Sequence, residues 1–140
     1  MAKNAIASGA ALQTLAKMVK MQGGDESLVA SPQNFPKAAC SYAVCAPQSG
    51  YITAVNAESY GTASLLLGAG RNKKEDAIDL SAGIMLCKKT GDSVKKGEVI
   101  ARLYAAREEL FPAAESVLLA ATKIGGEPPK KRPLILAVVE

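Results

Sequence analysis

The 140-residue chain contains no histidine. That absence excludes Ser–His and Cys–His nucleophile pairs and removes imidazole from any metal site. There are only three cysteines, Cys40, Cys45 and Cys87, with no CxxC spacing. Disulfide scaffolds of oxidising compartments are denser and even in number, so the three are expected to be small buried apolar residues in a reduced compartment. Aromatic residues make up 4% of the chain, which leaves the core to Leu, Ile, Val and Ala. No run approaches the roughly 20 apolar residues of a membrane span. The first twenty residues carry Lys3, Lys17 and Lys20 and lack the unbroken apolar block of a signal peptide. A cytoplasmic protein without a membrane partner is the expectation. One-sided charge is also missing: the net charge is +4 with both signs interspersed, whereas a nucleic-acid binder clusters its Lys and Arg on one element. The single basic run, Lys130-Lys131-Arg132, lies among Pro128, Pro129 and Pro133 and reads as a solvated linker.

What is present is a change of period along one domain-sized chain. Residues 4–22 predict a helix, with Leu12, Leu15, Met18 and Val19 on one stripe, Asn4 or Ser8 available as a cap and Gly23-Gly24 as a stop. Residues 25–36 read as loop, broken by Pro32 and Pro36. From Ala39 the alternation is that of strands: Tyr42, Val44 and Ala46, a turn at 47–50, then 51–55, read as a hairpin or two adjacent strands. Asn56 predicts an N-cap and Gly68 a stop for a helix whose face is Ala57, Tyr60, Ser64 and Leu67. Short strands follow at 84–88 and 99–104, with turns at Gly91-Asp92 and Lys96-Gly97, which suggests a small, strongly curved sheet or flattened barrel. A helix is predicted over 107–124, its regular part starting near Phe111 with Pro112 in the first position. Residues 134–139 read as a last apolar strand.

No constellation for chemistry emerges. Gly68-Ala69-Gly70 lacks the third glycine of the dinucleotide fingerprint, where Lys73 stands, and it follows a helix instead of a strand. Glu75, Asp76 and Asp79 share their segment with Arg71, Lys73 and Lys74. They read as a surface charge mosaic or as one buried Arg71–Asp79 pair that holds the loop, not as an acid/base or metal cluster.

Two resemblances attach to these residues. The segment 88–105, KKTGDSVKKGEVIARLYA, resembles the second half of a biotinyl or lipoyl carrier domain, and Ala46-Pro47-Gln48-Ser49-Gly50-Tyr51-Ile52 looks like that fold's opening strand. A carrier needs a lysine at a hairpin tip in a Met-Lys-Met or Asp-Lys-Ala setting. Neither triplet occurs, so the architecture is expected without the cofactor; a carrier or interaction module is the alternative reading.

The wider set of motifs is similar to the C-terminal part of the pyrimidine-nucleoside phosphorylase family, which includes thymidine phosphorylase. It comprises Met21-Gln22-Gly23-Gly24-Asp25, then Ala46-Pro47 with Gly50-Tyr51-Ile52, then the run from Leu65-Leu66-Leu67-Gly68-Ala69-Gly70-Arg71 through Glu75-Asp76-Ala77-Ile78-Asp79, then Ala82-Gly83-Ile84 and Lys88 through Glu98. The resemblance implies an α+β fold: an α/β hammerhead, that is a barrel-sandwich-like curved antiparallel sheet with two flanking helices, preceded by one appended helix. It implies a division into 1–24 (the last helix of an α/β domain), 25–38 (a linker) and 39–140 (the C-terminal domain). Enzymes of the family use phosphate to cleave pyrimidine nucleosides to free base and pentose 1-phosphate, and they are homodimers. Their phosphate loop and base-binding residues precede the region seen here, so no catalytic, cofactor-binding or metal-binding residue is expected in this chain, and its partner would be the rest of a phosphorylase chain. The residues expected to matter are structural: Gly68, Gly70, Arg71, Asp79, Gly91, Asp92 and Gly97.

Overall fold

The computed structural model describes all residues except 72, 131, 132, 134, 136, 139 and 140. It falls into two compact units, Met1–Lys37 and Ala38–Glu140.

The first unit is helical. Where one helix is predicted there are two, α1 (Ala2–Ala7) and α2 (Ala10–Met21). The break is Gly9, whose φ of 77° lies in the left-handed region. Glycine is a poor helix-interior residue and enters that region without a steric penalty. The end of α2 is as expected. Gly23, at φ 80°, donates to the Lys20 carbonyl at 3.0 Å and Gly24 donates to Val19 at 2.9 Å, the paired closure that satisfies the last carbonyls of a helix. The predicted loop at 25–36 contains one short helix, α3 (Ser27–Ala30), and a 3-10 turn at Pro32–Asn34. Ile6, Leu12, Leu15, Met18 and Met21 are all exposed.

The second unit is α+β. Two three-stranded antiparallel sheets form it, one in the order β1-β5-β3 and the other β4-β2-β6. The strands are β1 (Cys40–Cys45), β2 (Gly50–Val55), β3 (Gly83–Leu86), β4 (Ser93–Val94), β5 (Val99–Ala105) and β6 (Thr122–Gly125). The predicted hairpin of the first two strands is corrected by this topology, because β1 and β2 belong to different sheets. A turn pattern cannot distinguish a chain that folds back from one that crosses over.

Backbone bonds fasten the crossing. Ala46 donates to the Glu98 carbonyl and accepts from Gly97, both at 2.8 Å. Ile52 donates to the Asp92 carbonyl at 2.9 Å and accepts from Gly91 at 2.8 Å. Each pair ties one sheet's chain to a tight turn of the 88–98 segment.

Helix α4 (Ala57–Ser64) opens on the predicted cap, where the Asn56 side chain accepts from the Ser59 N–H at 3.0 Å. It loosens into a wide π-type turn at Leu65–Ala69 and ends at Gly68, φ 101°. Helix α5 (Phe111–Ala121) has Pro112 in its first turn, where a missing N–H costs nothing. It stops earlier than predicted: Thr122–Gly125 leaves the helix and pairs with β2, with Val55 opposite Thr122 and Ile52 opposite Ile124. The apolar helical stripe ends at Ala121, and β-branched Thr122 and Ile124 suit a strand once an edge is available. The Thr122 hydroxyl then donates to the Leu118 carbonyl at 2.8 Å and accepts from Tyr60 at 2.7 Å, which links α4, α5 and β6.

Between these layers lies a core of Val44, Ile52, Leu67, Ile100, Leu103 and Leu118, each at most 2% exposed, with Ala63, Ala114 and Phe111. As the scarcity of aromatics predicts, aliphatic side chains carry it. Each large one contributes on the order of 2 kcal/mol from burial. The predicted strand at 134–139 lies in part outside the described residues (134, 136 and 139); the remaining three are in no strand.

Candidate functional site

The seven residues singled out by sequence fall into two places. Gly91, Asp92 and Gly97 lie in the crossing turns. Gly91 and Gly97 have φ of 99° and 82°. The Asp92 carboxylate accepts from the Lys89 N–H at 2.7 Å, and Glu98 repeats the device on Lys95 at 2.8 Å. A third turn of the same build occurs at 73–76, where Asp76 accepts from the Lys73 N–H at 2.9 Å. In each, an acid closes the turn onto the N–H three residues before it. Lys88 Nζ reaches Glu98 at 2.7 Å and the Ser93 carbonyl at 3.1 Å, fastening the two crossing turns to each other. Each partner favours the other's charge: Lys88 holds the Glu98 carboxyl below its usual range, and Glu98 raises the Lys88 ammonium.

Gly68, Gly70, Arg71 and Asp79 belong to the loop between α4 and β3. The Gly68 carbonyl accepts from the Asp79 N–H at 2.9 Å. Gly70 lies against Leu65, and a Cβ there would come within 3.0 Å of its side chain. The expected buried Arg71–Asp79 pair does not form. Arg71 is exposed and its guanidinium donates to the Lys74 carbonyl at 3.4 Å. Asp79 is half-buried and accepts from the Ser81 hydroxyl at 2.6 Å and the Ser81 N–H at 2.9 Å, which holds its carboxyl below the usual range. An aspartate whose own backbone two residues on offers an N–H is satisfied locally, so the arginine is not needed. The surface charge mosaic is the arrangement found.

The cysteines also depart from expectation. Cys45 and Cys87 are exposed and Cys40 is half-buried. Their short side chains fit an apolar interior, but their positions in the chain place two of them outward.

Sequence reasoning misses one contact set. Tyr42 on β1 stacks on Phe111 at 5.5 Å between ring centroids, and its hydroxyl donates to the Glu115 carboxylate at 3.1–3.2 Å. Glu115 raises the Tyr42 phenol above its ordinary range, chiefly through that hydrogen bond. With Ser41, Glu108 and Pro112 these residues line an open surface groove. Tyr42 and Glu115 are 73 positions apart, and no local pattern announces them.

The side chains at these places hold turns and loops in position. Among the described residues no group of three or more Cys, Asp or Glu could hold a metal ion, and no helix is long and apolar enough to cross a membrane. Ser81 and Tyr42 each present a hydroxyl to a carboxylate, Asp79 and Glu115; the first pair closes a turn and the second fastens β1 to α5.

The family model for the pyrimidine nucleoside phosphorylase C-terminal domain matches residues 51–125. This chain belongs to that family. The matched span takes in nearly all of β2, then α4, the loop with Gly68 and Asp79, both crossing turns, α5 and β6. The pyrimidine-nucleoside phosphorylase of Bacillus subtilis (strain 168) is 48% identical over 103 residues, which is 74% of this chain and 24% of that protein. The enzyme of the same name from Geobacillus stearothermophilus is 43% identical over 110 residues, 79% of this chain and 25% of the relative. That of Staphylococcus aureus (strain COL) is 43% identical over 106 residues, 76% and 24%. The chain thus spans about a quarter of the length of the curated relatives it matches. A phosphorylase C-terminal domain built this way presents fixed turns and a packed two-sheet core, with charged side chains engaged in holding loops.

Proposed function

We propose that the chain serves as the C-terminal domain of a pyrimidine-nucleoside phosphorylase and contributes architecture, while the groups that break the glycosidic bond lie on other parts of such an enzyme. The observation that carries this reading is the match over residues 51–125 to a domain named for its C-terminal position, with relatives of that enzyme name extending over about four times the matched length. The absence of histidine supports it. In this reading residues 1–24 are the last helical part of an α/β domain, 25–38 a linker and 39–140 the C-terminal domain. The rest of a phosphorylase chain is the partner, the whole enzyme is a cytoplasmic homodimer, and it converts a pyrimidine nucleoside and phosphate to free base and pentose 1-phosphate. The exposed stripe of Leu12, Leu15 and Met18 suits a helix that packs on such a partner.

Two assays test it. The 140-residue chain is incubated with uridine or thymidine and phosphate, and release of the base is followed; none is expected. The chain is then joined to the Bacillus subtilis enzyme in place of its matched segment, and the hybrid is expected to fold and release base. Turnover by the isolated chain, or a hybrid that does not assemble, overturns the reading.

A further inference from the structure

Exposed apolar side chains are not spread evenly over the unit Ala38–Glu140. Seven large apolar side chains among its described residues are exposed; besides Tyr42, Ile135 and Val138 they are Ile78 at 40%, Leu80 at 93%, Met85 at 59% and Leu86 at 45%, and these four fall within nine positions of chain. Two features make this more than scattered surface hydrophobicity. First, β3 (Gly83–Leu86) is the outer strand of its sheet and among the described residues pairs only with β5. Successive strand side chains point to opposite faces, so exposure of both Met85 and Leu86 leaves this edge bare on both sides. Natural proteins blunt such edges with charge or proline, or cover them; here neither charge nor proline stands in the strand.

Second, Leu80 is held out rigidly. The Asp79 N–H is tied to the Gly68 carbonyl at 2.9 Å, the Asp79 carboxylate takes both donors of Ser81, and the Ala82 N–H returns to the Asp79 carbonyl at 3.2 Å. Leu80 is therefore the outer corner of a closed turn. An apolar side chain on a turn already closed by its own hydrogen bonds loses less backbone freedom on binding than one on an open loop.

We propose that residues 78–86, with Leu80 as anchor and the β3 edge that follows it in the chain, form the face on which the preceding part of a phosphorylase chain docks. This rests on the function proposed above. The occupant follows from length: the match is 24% of the Bacillus subtilis relative, so about three quarters of that protein lies outside it, and the matched family is the C-terminal one. Exposed apolar side chains gathered in one stretch of chain are what such an interface would cover.

The test uses the hybrid introduced above and the free 140-residue chain side by side, each with Leu80→Asp, with Met85→Asp and with the control Lys96→Ala. In the free chain the apolar side chains face water, so the unfolding midpoint should move by less than about 1 °C. In the hybrid both Asp variants should lower it by at least about 3 °C and the control should not, with faster proteolytic cleavage in 71–82. Midpoints that move equally in the two settings overturn the proposal. So does a free chain that light scattering finds dimeric and Leu80→Asp makes monomeric, since the occupant is then a second copy. If the unsubstituted hybrid fails to fold or release base, the proposed function falls first, before any variant is compared.

Discussion

The carbonyl oxygen of Gly125 stands where a side chain at Gly50 would begin. A Cβ placed on Gly50 collides with it, and the next atom of the obstruction is in the Ile124 side chain at 3.0 Å. Gly50 is the first residue of β2, paired with Val94 on one side, and its φ of 152° is unfavourable for a side chain. Gly61 is the opposite case. It lies inside α4, and a Cβ added there would have nothing within 4 Å.

The first prediction compares these two glycines. Gly50→Ala should destabilise the chain by roughly 3 kcal/mol, since backbone must move to admit the methyl group. Gly61→Ala should stabilise it by up to about 1 kcal/mol, because alanine loses less freedom in a helix. Denaturant midpoints of the two variants check both signs. Equal effects would mean that β2 and β6 do not approach this closely at Gly125.

The relation between Arg71 and Asp79 supplies the second. A buried ion pair would make either truncation strongly destabilising. The carboxylate is instead served by Ser81, and the guanidinium reaches the Lys74 carbonyl. Arg71→Ala should therefore stay within about 0.5 kcal/mol of the parent, the usual range for a surface change. Asp79→Ala should cost more than Arg71→Ala, because the turn that presents Leu80 loses its lock. A double-mutant cycle between the two should return no coupling beyond error, whereas a cycle between Asp79 and Ser81 should return one.

How much of this is legible in sequence divides along chain separation. The cap at Asn56, the stop at Gly68, Pro112 in the first turn of α5 and the turns at Gly91 and Gly97 all follow from local chemistry within four residues, and so does the strand character of β1, β2 and β5, though not which side chains they bury. The sheet to which β1 and β2 belong is decided by partners far along the chain: Cys40 faces Ala105, and Val55 faces Thr122. Residues 122–125 become a strand because β2 offers an edge, a tertiary reason that no window around Thr122 contains. The Tyr42–Glu115 contact and the outward setting of Cys45 and Cys87 are hidden for the same cause. The break at Gly9 is different, since the glycine is visible; the amphipathic stripe on both sides of it outweighs one poor residue in a periodicity argument.

Cysteine exposure yields the third prediction. Cys45 and Cys87 are exposed and Cys40 is half-buried, with its Sγ 3.9 Å from the Ala106 carbonyl. A thiol reagent added to the native chain should titrate two thiols rapidly and the third slowly. Cys40→Ser should abolish the slow phase and leave the fast amplitude unchanged. Three slow thiols, as buried residues would give, would contradict the outward setting of Cys45 and Cys87.

The last prediction concerns pH. The carboxyls of Asp79 and Glu98 are held below their ordinary values, the first chiefly by the Ser81 hydroxyl and the second chiefly by Lys88. A group depressed in the folded state binds protons more readily when unfolded, so it adds stability above its unfolded pKa of about 4 and loses it as pH falls through the folded value. The Lys88 ammonium is raised by the same Glu98, so its contribution is complete below about pH 10 and fades only above it. No histidine is present to titrate between these limits. The unfolding midpoint should therefore be nearly level from about pH 6 to 8 and fall steadily below about pH 4.5. Glu98→Gln should flatten part of the acid limb, because it removes one depressed carboxyl while keeping an oxygen that can accept from the Lys95 N–H. Ser81→Ala should flatten another part by releasing Asp79. Thermal melts from about pH 2.5 to 8 on the three proteins measure this, and an acid limb unchanged by both substitutions would place the responsible carboxyls elsewhere in the chain.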